Sequence, residues 1–217
     1  MVGPWLKALS SSALASKSVN FADIVRSRRM SRSFSDQSVD TSVIESCIDL
    51  ASRAPSAGKS QGWHVLLLEN ESTQRYWDVA LPVERRSGFA FPLLLQAPVI
   101  VLSMCDPTAY LERYSEPDKK TTGLGEGLDK WPAPYWTIDA SFATMTFLLA
   151  LEDAKLGALF FAHSNEEGLR QEFSIPDHIQ ILGTIAIGHE IEGQKRRGRS
   201  ADRIRRSVES IIHQKNW

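Results

Sequence analysis

Four short apolar runs constrain what this chain can fold into more than any other feature. They are "WHVLLLEN" (63–70), "APVIVLSMCDP" (97–107), "LGALFFA" (156–162) and "IQILGTIAIGH" (179–189), the first closed by Asn70 and the second by Asp106-Pro107. Runs of this length read as buried strands, and none approaches the roughly 18 apolar residues that a membrane helix needs. Helical spacing fills the intervals. Asn20 caps a stretch over 20–30 in which Phe21, Ile24 and Val25 share a face. Ser38 or Asp40 opens a second helix, with Val43, Ile44, Cys47, Ile48 and Ala51 as its stripe. Shorter helices are expected at 72–80 and 165–173, and Pro134 starts a long one. There Ile138, Phe142, Met145 and Leu149 form one side, while Ala140, Ala143 and Ala150 permit close packing. A terminal amphipathic helix carries Ile204, Val208, Ile211 and Ile212. Helices and strands mix without a strict βαβ rhythm, which predicts an α+β fold around a mixed sheet.

At 217 residues the chain suits one domain over 20–217, preceded by an arm at 1–19. The arm is a weak imitation of a signal peptide: serines break its apolar stretch, and Lys7 is its early basic charge. A flexible or partner-embracing segment is the expectation. Residues 54–62, "APSAGKSQG", forbid regular structure, and 116–134 form a long irregular loop suited to a lid. Cys47 and Cys105 sit in apolar surroundings without C-x-x-C spacing, which reads as core thiols of a reducing, cytoplasmic compartment.

The usual catalytic constellations are missing from the sequence. Its histidines (His64, His163, His178, His189, His213) are scattered without metal-ligand spacing. Neither cysteine has an obvious activating base. Asp139, Glu152 and Asp153 lie on or near one helix and read as surface charges or caps. "GLGEG" (123–127) contains a G-x-G, but no strand precedes it, so a dinucleotide fingerprint is not supported.

Two basic windows remain. Arg26, Arg28, Arg29 and Arg32 crowd into 26–32, and Lys195, Arg196, Arg197, Arg199, Arg203, Arg205 and Arg206 into 195–206. With a net charge of −1 and little aromatic interleaving, they do not describe a nucleic-acid face. Asp202 and Glu209 also stand at helical spacing from Arg205 and Arg206, as on a solvated surface. A small phosphate held by a few guanidiniums fits better, since these make geometrically defined bidentate contacts.

The neighbouring motifs sharpen this. "RRMSRSFSDQSVDTSVIESCIDLASRAPSAGKSQGWHVLLLE" (28–69) and "ILGTIAIGH" followed by "KRRGR" resemble the FMN-dependent nitroreductase family. The resemblance rests on Arg28, Arg29, Arg32, Phe34, Pro55, Ser56, Ser60, Gln61 and Trp63. It implies a mainly antiparallel sheet flanked by helices and an intertwined homodimer with FMN at the interface. It places Arg28 and Arg29 on phosphate or ribityl oxygens, Arg32 near the pyrimidine end, and Arg197 and Arg199 in a second phosphate clamp. Pro55, Ser56 and Ala57, with Ser60 in the same loop, would cover the ring from the other subunit, and Phe160 and Phe161 would lie at its edge. Met30 stands where the family has Ser, Lys59 where it has Asn, and Gly62 where it has Pro. The implied activity is NAD(P)H-dependent ping-pong reduction of nitroaromatic, quinone or related acceptors, with no catalytic side chain because the flavin carries the hydride. Trp131, Tyr135 and Trp136 offer an aromatic wall for the acceptor, or a packed helix start. A divergent member (dehalogenating, flavin-fragmenting or oxidase-type) or a non-enzymatic phosphate or nucleic-acid binder are the rival readings.

Overall fold

The computed structural model describes residues 20–194, 200 and 202–217. The expected arm at 1–19, and Arg197 and Arg199, lie outside them. The chain runs α1 (Phe21–Ser27), α2 (Thr41–Ala51), β1 (Trp63–Glu69), α3 (Glu71–Ala80), α4 (Val83–Arg86), β2 (Val99–Cys105), α5 (Thr108–Ser115), α6 (Tyr135–Asp153), β3 (Gly157–Phe161), α7 (Glu166–Phe173) and β4 (Gln180–Gly188). Asn20 and Asp40 cap α1 and α2 by accepting from the backbone N–H groups of Ala22 and Ser42, as their side chains suggest.

The strands order β1-β2-β4-β3, and every adjacent pair is antiparallel. A parallel bridge from Met30 to Ala158 adds the mixed element. Each apolar run thus became a strand, trimmed at its polar ends. The two central strands are covered on both faces. Ile100, Leu102 and Met104 of β2 meet a core that includes Tyr76, Trp77 and Leu169, while Val99 and Val101 meet one that includes Ile44, Phe147 and Leu151. This two-residue alternation gives a strand buried on both sides its continuous apolar sequence. Two pairs of buried hydroxyls satisfy each other, Tyr76 with Thr184 at 2.8 Å and Ser103 with Thr144 at 2.8 Å, and Ser103 also accepts from the Trp63 indole at 3.1 Å.

Three expectations need correction. On α6 the three alanines are buried as expected, but alongside Phe147, Leu148 and Leu151, whereas Phe142 and Met145 remain 49% and 41% exposed. The helix is apolar on nearly every side, so periodicity could not select its core face. The terminal helix is absent: 202–217 form only bends and turns, and Ile204 is 93% exposed. A lone amphipathic stripe with no surface to bury it does not sustain a helix in water. Finally, α5 went unforeseen because Tyr110 is its one buried residue.

Candidate functional site

After α1 the chain turns extended and is stitched between two strands. The Ser31 N–H donates to the Ala158 carbonyl at 2.9 Å, that of Ser35 to His189 at 2.9 Å, and that of Ile191 to Ser33 at 3.2 Å. Alternation then sends Ser31 and Ser33 into the protein. Met30, in place of the family's Ser, uses its sulfur to accept from the Phe160 N–H at 3.4 Å. The arginines differ in their engagement. Arg29 is paired with Glu190 at 2.6 Å. Arg32 donates to the Met30 carbonyl at 2.9 Å and lies 5.6 Å from the centre of the Phe91 ring. Nη1 of Arg28 is buried without a hydrogen-bond partner, a costly state for a cationic group that an anionic ligand would relieve.

Two cavities meet at Arg32 and Phe91. One, of about 310 Å³, is lined by aromatic groups including Trp77, Phe89, Phe160 and Phe161. Trp77 stacks on Phe161 with ring centres 6.1 Å apart and planes 5° from parallel. The other, of about 390 Å³, is lined by Ser33, Pro92, Gly193 and Gln194. Gly193 and Gln194 immediately precede the second basic window in sequence, and residues 195–199 of that window lie outside the described residues. The structure brings Met30, Arg32, Phe160 and Phe161 together, while neither Arg28 nor Arg29 lines the two cavities. Trp77, Phe89 and Phe91 were missed by the sequence reading, since nothing distinguishes them from core aromatics.

Pro55, Ser56, Ala57 and Ser60 lie elsewhere in the same chain. Pro55 and Ser56 line a cavity of about 80 Å³ with Trp63, Tyr110 and Asp139, which has no residue in common with the Arg32 cavities. The loop contains a short 3-10 turn at Ala57–Lys59, contrary to the expectation of no regular structure, and Gly58, Lys59 and Gln61 all have left-handed φ (59°, 60° and 54°). Its hydroxyls close it internally: Ser56 Oγ accepts from the Gln61 N–H at 3.0 Å, and Ser60 Oγ donates to the Ala57 carbonyl at 2.7 Å. A Cβ on Gly62 would stand 2.8 Å from both the Asp106 carbonyl and the Tyr110 ring, which accounts for glycine where the family has Pro.

Asp139 corrects a further expectation. It is 7% exposed rather than a surface charge, and Oδ2 accepts from the Ala57 N–H at 2.8 Å and the Tyr110 hydroxyl at 2.9 Å. Burial, then the Asp139 carboxylate, pushes the Tyr110 phenol well above its ordinary value. Trp131 is also buried, at 8% exposure. It donates to the Leu124 carbonyl at 2.9 Å and packs edge-on to Tyr114 at 4.6 Å. It sits at the centre of an aromatic cluster, with Trp136 and the exposed Tyr135 around it. The stretch 116–134 is accordingly organised into short 3-10 turns. Both cysteines are buried, and burial lifts the Cys105 thiol to about 12, so neither is a poised nucleophile. Among the described residues no cluster could hold a metal ion, and no helix is long and apolar enough to cross a membrane.

The model of the Nitroreductase family matches residues 25–189. The chain belongs to the nitroreductase family. A Methanothermobacter thermautotrophicus relative, provisionally named an NADH dehydrogenase/NAD(P)H nitroreductase, is 26% identical over 174 residues, covering 78% of this chain and 77% of its own. A 4-nitrobenzoate reductase from a Nocardioides species is 27% identical over 202 residues, covering 78% and 80%. Among solved structures, a nitroreductase family protein of Streptococcus pneumoniae superposes with a TM-score of 0.69 at 19% identity, over 90% of this chain and all of that one. Kinship makes this nitroreductase-family chain an oxidoreductase, and the shared fold carries the sheet and helices described above.

Proposed function

We propose that this nitroreductase-family chain is an FMN-dependent enzyme that uses NAD(P)H to reduce a nitroaromatic, quinone or related conjugated acceptor. The observation that carries the reading is the site at Arg32, where an aromatic cavity and a more polar one meet; Arg28, four residues earlier in the chain, has a buried nitrogen without a partner. That pairing suits a molecule with a flat ring at one end and a phosphate at the other. FMN, when bound, supplies the hydride-accepting and hydride-donating chemistry. The protein's part is to bind, orient and exclude water. Arg28 would hold the phosphate with help from Arg197 and Arg199, Arg32 would set a positive charge beside the pyrimidine end, and Phe160 and Phe161 would wall the ring. The names of the relatives support a nicotinamide donor and, in one case, a nitroaromatic acceptor.

The reading includes a homodimer. Phe21 and Val25 of α1, with Phe142 and Met145 of α6, leave apolar surface exposed on two helices that pack together, as expected of a face that a second copy covers. In such a dimer, loop 54–62 of the partner would cover the flavin bound at Arg32, which accounts for the separation of the two regions within one chain. Buried unpaired thiols suit a reducing, cytoplasmic setting.

Purified protein should be yellow, and NADH or NADPH should bleach it anaerobically, with a nitroaromatic or quinone restoring the colour. Donor and acceptor occupying the site in turn should give ping-pong kinetics. Colourless protein that leaves added FMN fully fluorescent would rule the reading out.

A further inference from the structure

Loop 54–62 holds a conformation that its own sequence does not favour. Lys59 and Gln61 have side chains that make left-handed φ costly, so their conformation persists only where the surroundings over-determine it. Those surroundings come from two elements. From α5, Arg113 Nε donates to the Gly58 carbonyl at 2.7 Å, and the Tyr114 ring lies where a Cβ on Gly58 would be 2.9 Å away. From α6, the Asp139 carboxylate receives the Ala57 N–H and, on the same oxygen, the Tyr110 hydroxyl. The Arg113 guanidinium is itself fixed by Asp118, with both outer nitrogens at 2.8 Å. Asp139 stands one helical turn from the exposed Phe142, so the helix offering the apolar face to a second copy also carries the anchor of the loop.

We propose that Asp139, Tyr110 and Arg113 are positioning residues that hold loop 54–62 as a preformed cover for the flavin ring of the partner subunit. The inference rests on the flavin reading above and adds that the cover is rigid before the cofactor arrives. The ordering entropy is then met during folding, and flavin binding does not have to supply it. Charge-assisted bonds suit this task because they are short and directional. The irregular stretch after α5 serves the same end: Asp118 within it holds Arg113, so it acts as a buttress to the cover.

The test uses the full-length dimer, with FMN affinity measured by quenching of flavin fluorescence. Arg113→Met frees the Gly58 carbonyl from a partly exposed side chain, Asp139→Asn removes the charge at constant shape, and Arg113→Lys can retain one bond. The expected result is about a tenfold rise in the FMN dissociation constant for R113M and D139N. The visible circular dichroism of bound flavin should change with it, and R113K should recover most of both. A purely structural role would lower the unfolding temperature of flavin-free protein yet leave the affinity and dichroism of folded protein unmoved, and that outcome overturns the inference. R113M keeps the test decisive should D139N fold poorly. If the unsubstituted protein binds no FMN, the flavin reading falls and this inference falls with it; if it binds FMN and both variants match it, only the inference falls.

Discussion

Lys59 shows how one residue can carry strain for a whole loop. Its φ of 60° lies where Asn is comfortable and a long side chain is not. Lys59→Asn should therefore stabilise the protein by about 0.5–1 kcal/mol, read as a higher thermal midpoint; an unchanged or lower midpoint would show that the Lys59 side chain makes a compensating contact. Other residues divide by how visible their partners are in the sequence. Arg28 and Arg32 could be nominated because one motif groups them, whereas Phe160 and Phe161 followed only from the place of their strand in the resemblance. Asp139 could not, because a lone acid on a helix looks like a surface charge until Ala57 and Tyr110, far off in sequence, are placed against it.

Among elements, the strands were legible because an apolar run of strand length between turn residues has few other uses, and all four runs paired. Helix faces were less so. On α2 the stripe from Ile44 to Ala51 matched the buried side, but on α6 apolar residues encircle the helix and the buried side depends on which neighbours arrive. The contact between α3 and β4 yields a prediction of its own. Burial lifts the Tyr76 phenol from its ordinary value of 10 to about 12, with the Thr184 hydrogen bond opposing. Its folded value exceeds the unfolded one, so its contribution to stability is complete below pH 10 and is lost as pH rises through about 12. The Cys105 thiol, lifted from 9.0 to about 12 by burial, adds a loss of the same sign. The urea midpoint should therefore fall between about pH 8 and pH 11. Tyr76→Phe should cost about 1 kcal/mol at the lower pH and flatten that fall; an equally steep fall in Y76F would remove Tyr76 as its source.

At the scale of the whole molecule, the loop that should cover a flavin and the arginines that should hold it stand apart in one chain, so the account requires a second copy. Phe142→Glu on the exposed face of α6 should leave the circular dichroism of the fold intact, shift the sedimentation coefficient to that of a monomer, and weaken FMN binding in parallel. A monomeric variant with undiminished FMN affinity would show that one chain suffices. The C-terminal segment 202–217 exposes Ile204, Val208 and Ile211 without forming a helix, and no pattern in its sequence could say so, because what it lacks is a surface to bury against. The central claim is that the segment carrying Arg28 and Arg32 makes a phosphate-reading flavin site, with Arg28 on the phosphate and Arg32 at the pyrimidine end. Comparing the dissociation constants of FMN and riboflavin on the same protein tests it most directly, since the two differ only by the phosphate. The account predicts FMN binding tighter by about ten- to a hundredfold; equal affinities, or no binding of either, would contradict it.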